Sequence, residues 1–210
     1  MEAKIILVNC LVFLVLSCNT KTKLDNRIQN QWYLGLKDTM LIESSGNSFI
    51  KYHLQGDTIY SIEWGNKLIN NKSNAKFEVL GNGVLGKLEE DEETIVLNQG
   101  CGSSCQYYVF LPIKHNETEK VYNYTKAYDL KRKLVVFIPD GNDIFLRVEN
   151  YITKQTMDIK ESNICPAGFK GDCIDSIYFS KNNLVIKWQG DKWKNTSPDP
   201  QEKTIPIKFK

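Results

Sequence analysis

The chain has 210 residues, 41% of them hydrophobic, which is ordinary for a globular protein and enough for one domain with a sizeable core. Its 27 lysines and arginines stand against 25 acidic residues, so it lacks the general positive field that binding to nucleic acid requires.

At the N-terminus, Met-Glu-Ala-Lys is followed by an apolar run from Ile5 to Leu16, broken by Asn9 and ending at Ser17-Cys18. A helix needs about 20 apolar residues to cross a bilayer, so this run is too short and reads as the core of an export signal. The segment Val15-Leu16-Ser17-Cys18 resembles the lipobox of bacterial lipoproteins, in which a small residue precedes a cysteine that is lipidated and becomes the first residue of the mature protein. The resemblance covers the leader alone. It implies a signal peptide over residues 1–17, lipidation of Cys18, and a place in the cell envelope, on the periplasmic face or the outer-membrane surface. Asn19 after the cysteine is compatible with sorting to an outer membrane, and an ordinary secretory signal cut nearby is the alternative. Residues 18–30 are polar and aperiodic and read as a tether, which leaves 31–210 as the domain.

From Trp32 onward the signals are those of strands. Short β-branched or aromatic segments, among them Thr-Ile-Tyr-Ser-Ile-Glu-Trp (58–64), Thr-Ile-Val-Leu-Asn (94–98), Gln-Tyr-Tyr-Val-Phe-Leu (106–111) and Asn-Leu-Val-Ile-Lys-Trp (183–188), are separated by turn formers such as Gln55-Gly56-Asp57, Gly65-Asn66 and Asp140-Gly141-Asn142-Asp143. The expected fold is therefore all-β, a single antiparallel meander domain closed as a sandwich or barrel. Leu134 to Ile159 reads as two hairpins in succession, and partial propeller-like blades are the second choice. Only Glu117 to Leu130 is expected to carry a helical turn. Leu88-Glu-Glu-Asp-Glu-Glu93 is a block of like charge and reads as a solvated loop, without the alternating ligands and central glycine of an EF-hand calcium loop.

Gln99-Gly-Cys101-Gly-Ser-Ser-Cys105 evokes a thiol-protease nucleophile, but the pattern fails on its own terms. Cys101 and Cys105 are separated by three residues instead of two, a strand follows instead of a helix, and neither His53 nor His115 lies far downstream as that chemistry requires. Thioredoxin-type chemistry needs two intervening residues, and Cys165 and Cys173 are too far apart for a zinc knuckle. In an exported protein the four are expected as structural disulfides, Cys101–Cys105 and Cys165–Cys173, with no metal and no cofactor. Trp188 and Trp193 flank a turn and could stack on a sugar ring or a peptide; the alternative is that they plug the core.

The function expected from these features is a membrane-anchored exported lipoprotein with a non-catalytic binding or structural β domain. Its partners are the membrane, through the lipid anchor, and a protein or glycan. The alternatives are an exported, glycan-directed hydrolase using a carboxylate pair, or an inhibitor or immunity-type module.

Overall fold

In a computed structural model, which describes residues 40–43, 48–55, 58–80, 84–100, 106–140, 144–160, 174–188 and 201–209, every regular element is a strand and every pairing is antiparallel. The strands form four sheets that follow one another along the chain. The first holds β1 (Met40–Glu43), β2 (Phe49–Leu54), β3 (Ile59–Gly65), β4 (Asn70–Lys72) and β5 (Phe77–Glu78), with β4 and β5 both on β3. The second is the meander β6 (Gly86–Glu90), β7 (Thr94–Gly100), β8 (Gln106–Pro112) and β9 (Lys120–Asn123). The third is β10 (Thr125–Asp129), β11 (Leu134–Phe137), β12 (Leu146–Asn150) and β13 (Thr156–Ile159). The fourth is β14 (Ile174–Ser180), β15 (Asn183–Trp188) and β16 (Gln201–Pro206).

The all-β antiparallel expectation holds, and the successive hairpins read between Leu134 and Ile159 are β11, β12 and β13. Among the described residues no sheet closes into a barrel. Instead the period of two along each strand sends alternate side chains into different cores. Ile95 and Leu97 of β7, with Val109 and Leu111 of β8, pack against Ile50, Ile62 and Trp64 of the first sheet. Val96 and Phe110, the residues between them, join Leu130, Val135 and Tyr151 of the third. Val136 then points the other way, into a core shared with Leu146, Val148, Leu184 and Ile186. The middle sheets are buried on both faces, which is why β7, β8 and β11 read as unbroken apolar runs without polar alternation.

The segment expected to carry a helical turn is strand instead: β9 and β10 occupy it. Val121, Tyr122, Thr125 and Tyr128 are β-branched or aromatic, residues suited to a pleated surface. The chain passes from β9 to β10 through the single residue Tyr124, whose φ of 53° lies in the left-handed region. The acidic run is a loop only in part. Its first half is β6, its second half the turn into β7, and its carboxylates bind neighbouring elements: Glu90 accepts from Ser48 Oγ at 2.7 Å, Glu89 from Tyr128 Oη at 2.8 Å, and Asp91 from Lys133 Nζ at 3.0 Å. The block tolerates its own repulsion because these partners come from the first and third sheets.

The first strands of the second, third and fourth sheets each carry an irregularity of register, between Lys87 and Glu89, Thr125 and Ala127, and Ile174 and Ser176. Each inserts one extra residue, Leu88, Lys126 or Asp175, and such bulges re-aim neighbouring side chains.

Candidate functional site: an aromatic cleft between three sheets

β10 crosses the face of the second sheet. At its start Thr125 Oγ1 donates to Tyr122 O of β9 at 3.2 Å, and near its end Tyr128 reaches Glu89 of β6. On its other side β10 packs alongside β14. Where these elements diverge they leave a cleft of about 360 Å3, lined by Tyr108 of β8, the whole of β10 and residues 177–179 of β14.

Aromatic packing fixes the walls. The rings of Tyr108 and Tyr128 lie 5.7 Å apart at 54°. Tyr128 in turn meets Phe110 edge to face at 5.7 Å, and Phe110 stacks on Tyr151 at 4.7 Å in the core behind. The cleft wall is thus the outer end of a continuous aromatic array, which gives it little freedom to collapse. Across the cleft, Tyr178 is 42% exposed, with Lys187 Nζ 5.8 Å from its ring centre. Two of the lining residues are tied to Arg132, which donates to Asp129 Oδ2 at 2.7 Å, stands over the Phe179 ring at 4.9 Å, and also donates to Lys181 O.

Burial, reinforced by the hydrogen bond to Glu89, pushes the Tyr128 hydroxyl up, and burial also raises Tyr108 despite a bond to Asn98. Both therefore stay protonated at neutral pH. Asp129 is held by the Arg132 side chain and by its backbone N–H at 3.0 Å. Such a set can orient a ligand through ring faces and hydroxyls without moving a proton.

A second polar cluster sits on the outward face of the first sheet. Glu63, 7% exposed, accepts from Lys51 Nζ at 3.2 Å, and His53 Nε2 lies 2.8 Å from its other oxygen. Ser61 is the cross-strand partner of His53, but its Oγ accepts from Gln55 Nε2 at 3.4 Å. Burial drives the Glu63 carboxyl up, and hydrogen bonds from Lys51, His53 and Asn70 overcome this and hold it below its ordinary value of 4.5. The sign follows from the lowered value. Glu63 stabilises the fold fully above the ordinary carboxylate range, and that contribution is lost as pH falls through the lowered value. Denaturation curves of Glu63→Gln should lie below those of the unmodified chain at pH 7 and converge with them toward pH 3. A constant gap across that range would contradict the assignment.

Of the residues marked in the sequence, Trp188 ends β15, half-buried against the core shared by the third and fourth sheets, and does not line the cleft. Trp193, Cys18, Cys101, Cys105, Cys165 and Cys173 lie outside the described residues, as do the leader and tether. Among the described residues no group of three or more His, Cys, Asp or Glu is arranged to hold a metal ion, and no helix is long and apolar enough to cross a membrane. Tyr108, Tyr128 and Tyr178 were not singled out in the sequence, where they are three of ten tyrosines with nothing local to distinguish them. No family model, no curated protein and no solved structure matches the chain.

Proposed function

We propose that this chain is an exported lipoprotein, held at the cell envelope by acyl chains on Cys18, whose β domain binds a ligand and performs no chemistry on it. The observation that carries the binding half is the cleft. Three tyrosines from three sheets surround about 360 Å3, within the roughly 300–1,000 Å3 span of small-molecule sites. The Tyr108 and Tyr128 hydroxyls stay protonated and the carboxylate of Asp129 is held by Arg132, which favours recognition over acid–base catalysis.

The anchoring half rests on the apolar run that ends at Cys18. Acyl chains contribute roughly 0.8 kcal/mol per buried methylene, so several on one cysteine hold a protein firmly to a membrane. The disulfides Cys101–Cys105 and Cys165–Cys173 belong to the same proposal, since an exported chain meets an oxidising compartment.

Fractionation and mass spectrometry of the product test this together. The unmodified chain should partition with membranes, begin at an acylated Cys18, and yield linked 101/105 and 165/173 peptides without reduction; Cys18→Ala should move it to the soluble fraction. Detergent-free solubility of the unmodified chain would overturn the anchor, and peptides joining the 101/105 region to the 165/173 region would overturn the local pairing.

A further inference from the structure

We propose that the cleft between β8, β10 and β14 is a carbohydrate subsite that takes a neutral sugar ring, an assignment that rests on the binding reading above. Charge, hydrogen-bonding sense and shape converge on it.

The charged residues of the lining are Lys126 and Asp129. Asp129 is bonded to the Arg132 guanidinium at 2.7 Å, and Lys126 is itself partnered. Asp129 therefore offers no uncompensated charge to an ionic ligand, and displacing Arg132 would cost what the new pair returned.

Three hydroxyls of the lining donate into the protein. Thr125 Oγ1 donates to Tyr122 O, Tyr108 Oη to Gln106 Oε1 at 3.1 Å, and Tyr128 Oη to Glu89 Oε2. Each has spent its one proton inside the protein; the oxygens of Thr125 and Tyr128 keep a lone pair for a donor from outside, whereas Tyr108 is also bonded to Asn98 and Tyr178 to Lys187. The cleft therefore asks for a ligand with hydroxyl donors close together. A sugar ring supplies these on adjacent carbons, whereas an extended peptide supplies one backbone N–H per residue.

The shape suits a puckered ring. Tyr108 and Tyr128 meet at 54°, so no plane can lie against both rings. A puckered ring, with axial C–H groups on its faces and hydroxyls at its rim, can rest on one tyrosine while its edge meets the other. Ala127, Ile177 and Phe179 add apolar surface for the same faces. Phe110, edge to face behind Tyr128, holds this wall in place before a ligand arrives, which lowers the cost of ordering it.

The experiment titrates the purified full-length chain in detergent by calorimetry with four neutral tetrasaccharides, of α-glucose, β-glucose, β-mannose and N-acetylglucosamine, and with tetragalacturonate as the charged counterpart. At least one neutral sugar should saturate. Tyr178→Ala and Tyr108→Ala should each weaken it about fivefold or more, and Tyr178→Phe, which keeps the ring, should stay within about twofold. Tyr178 is 42% exposed, so its variants should keep the unmodified melting temperature, and any loss of affinity then belongs to the site. Failure of all four neutral sugars, preference for tetragalacturonate, or indifference to Tyr178→Ala overturns the assignment. A photo-crosslinking phenylalanine analogue at position 178 separates the two levels. Crosslinks to a polypeptide without sugar binding reject the carbohydrate and keep a binding cleft, and the absence of both rejects the cleft as a binding site.

Discussion

Gly65→Ala will break the β3–β4 hairpin. Gly65 has a φ of 156°, in a region that side chains rarely occupy, and a methyl group built there stands 1.8 Å from the carbonyl oxygen of Ile69 and 2.7 Å from its carbon. Both atoms are backbone, so neither can rotate away. The same oxygen accepts from Asn66 N at 2.8 Å, and Asn66 Oδ1 accepts from Leu68 N and Ile69 N, each at 2.9 Å. Moving Ile69 to admit the methyl therefore disturbs three hydrogen bonds that close the turn, at about 1 kcal/mol each, in addition to about 1–3 kcal/mol of backbone strain. The expected loss is about 4–6 kcal/mol, read by urea denaturation, with β4 losing amide-exchange protection first. A loss under about 1 kcal/mol would show that the turn has another conformation open to it.

Trp64→Ala should cost a similar amount for a different reason. Trp64 is fully buried in the core between the first and second sheets, and its Nε1–H donates to Pro112 O at 2.9 Å. Truncating a buried tryptophan costs about 3–5 kcal/mol in lost transfer energy and residual cavity. Trp64→Phe separates the two contributions, because it fills most of the space but removes the donor. Pro112 O then retains only the longer bond from Asn71 Nδ2, at 3.4 Å. We expect about 1–3 kcal/mol for that variant, and equal losses for the two would assign the effect to the hydrogen bond alone. Tyr52 Oη donating to Leu85 O at 2.6 Å and Leu85 N donating to Tyr60 Oη at 2.8 Å latch the same interface, so these variants probe one junction and their effects should not simply add.

How much of this was legible in the sequence depends on how local each signal was. β7 and β8 announce themselves because burial on both faces makes Thr-Ile-Val-Leu and Val-Phe-Leu unbroken apolar runs, and a strand pattern of that kind does not depend on its partner. β6 was missed because Gly-Lys-Leu-Glu-Glu carries no such run. Its pairing is supplied by β7, and its carboxylates are satisfied by Ser48 and Tyr128, 42 and 39 residues away in sequence. β10 was missed for a related reason, since the left-handed Tyr124 and the extra residue Lys126 interrupt its alternation. The cleft was the least legible part. Tyr108, Tyr128 and Tyr178 are 20 and 50 residues apart along the chain and meet through the stacking of sheets, which no periodicity encodes. Trp188 drew notice because a second indole follows a turn, yet its ring serves the core.

The serial arrangement of the sheets has a bearing on how the chain is made. Among the described residues the first core draws on 50–113, the second on 96–151 and the third on 124–209, so none of the three spans the whole described chain. A chain delivered N-terminus first, from a ribosome or through a translocation pore, can complete the junction of its first two sheets while the fourth is still unextruded, because closing short loops costs little entropy. Each finished sheet then presents a template on which the next condenses, and the growing edge is covered as it forms. Vectorial folding of this kind limits the time for which apolar strands stand exposed to neighbouring nascent chains.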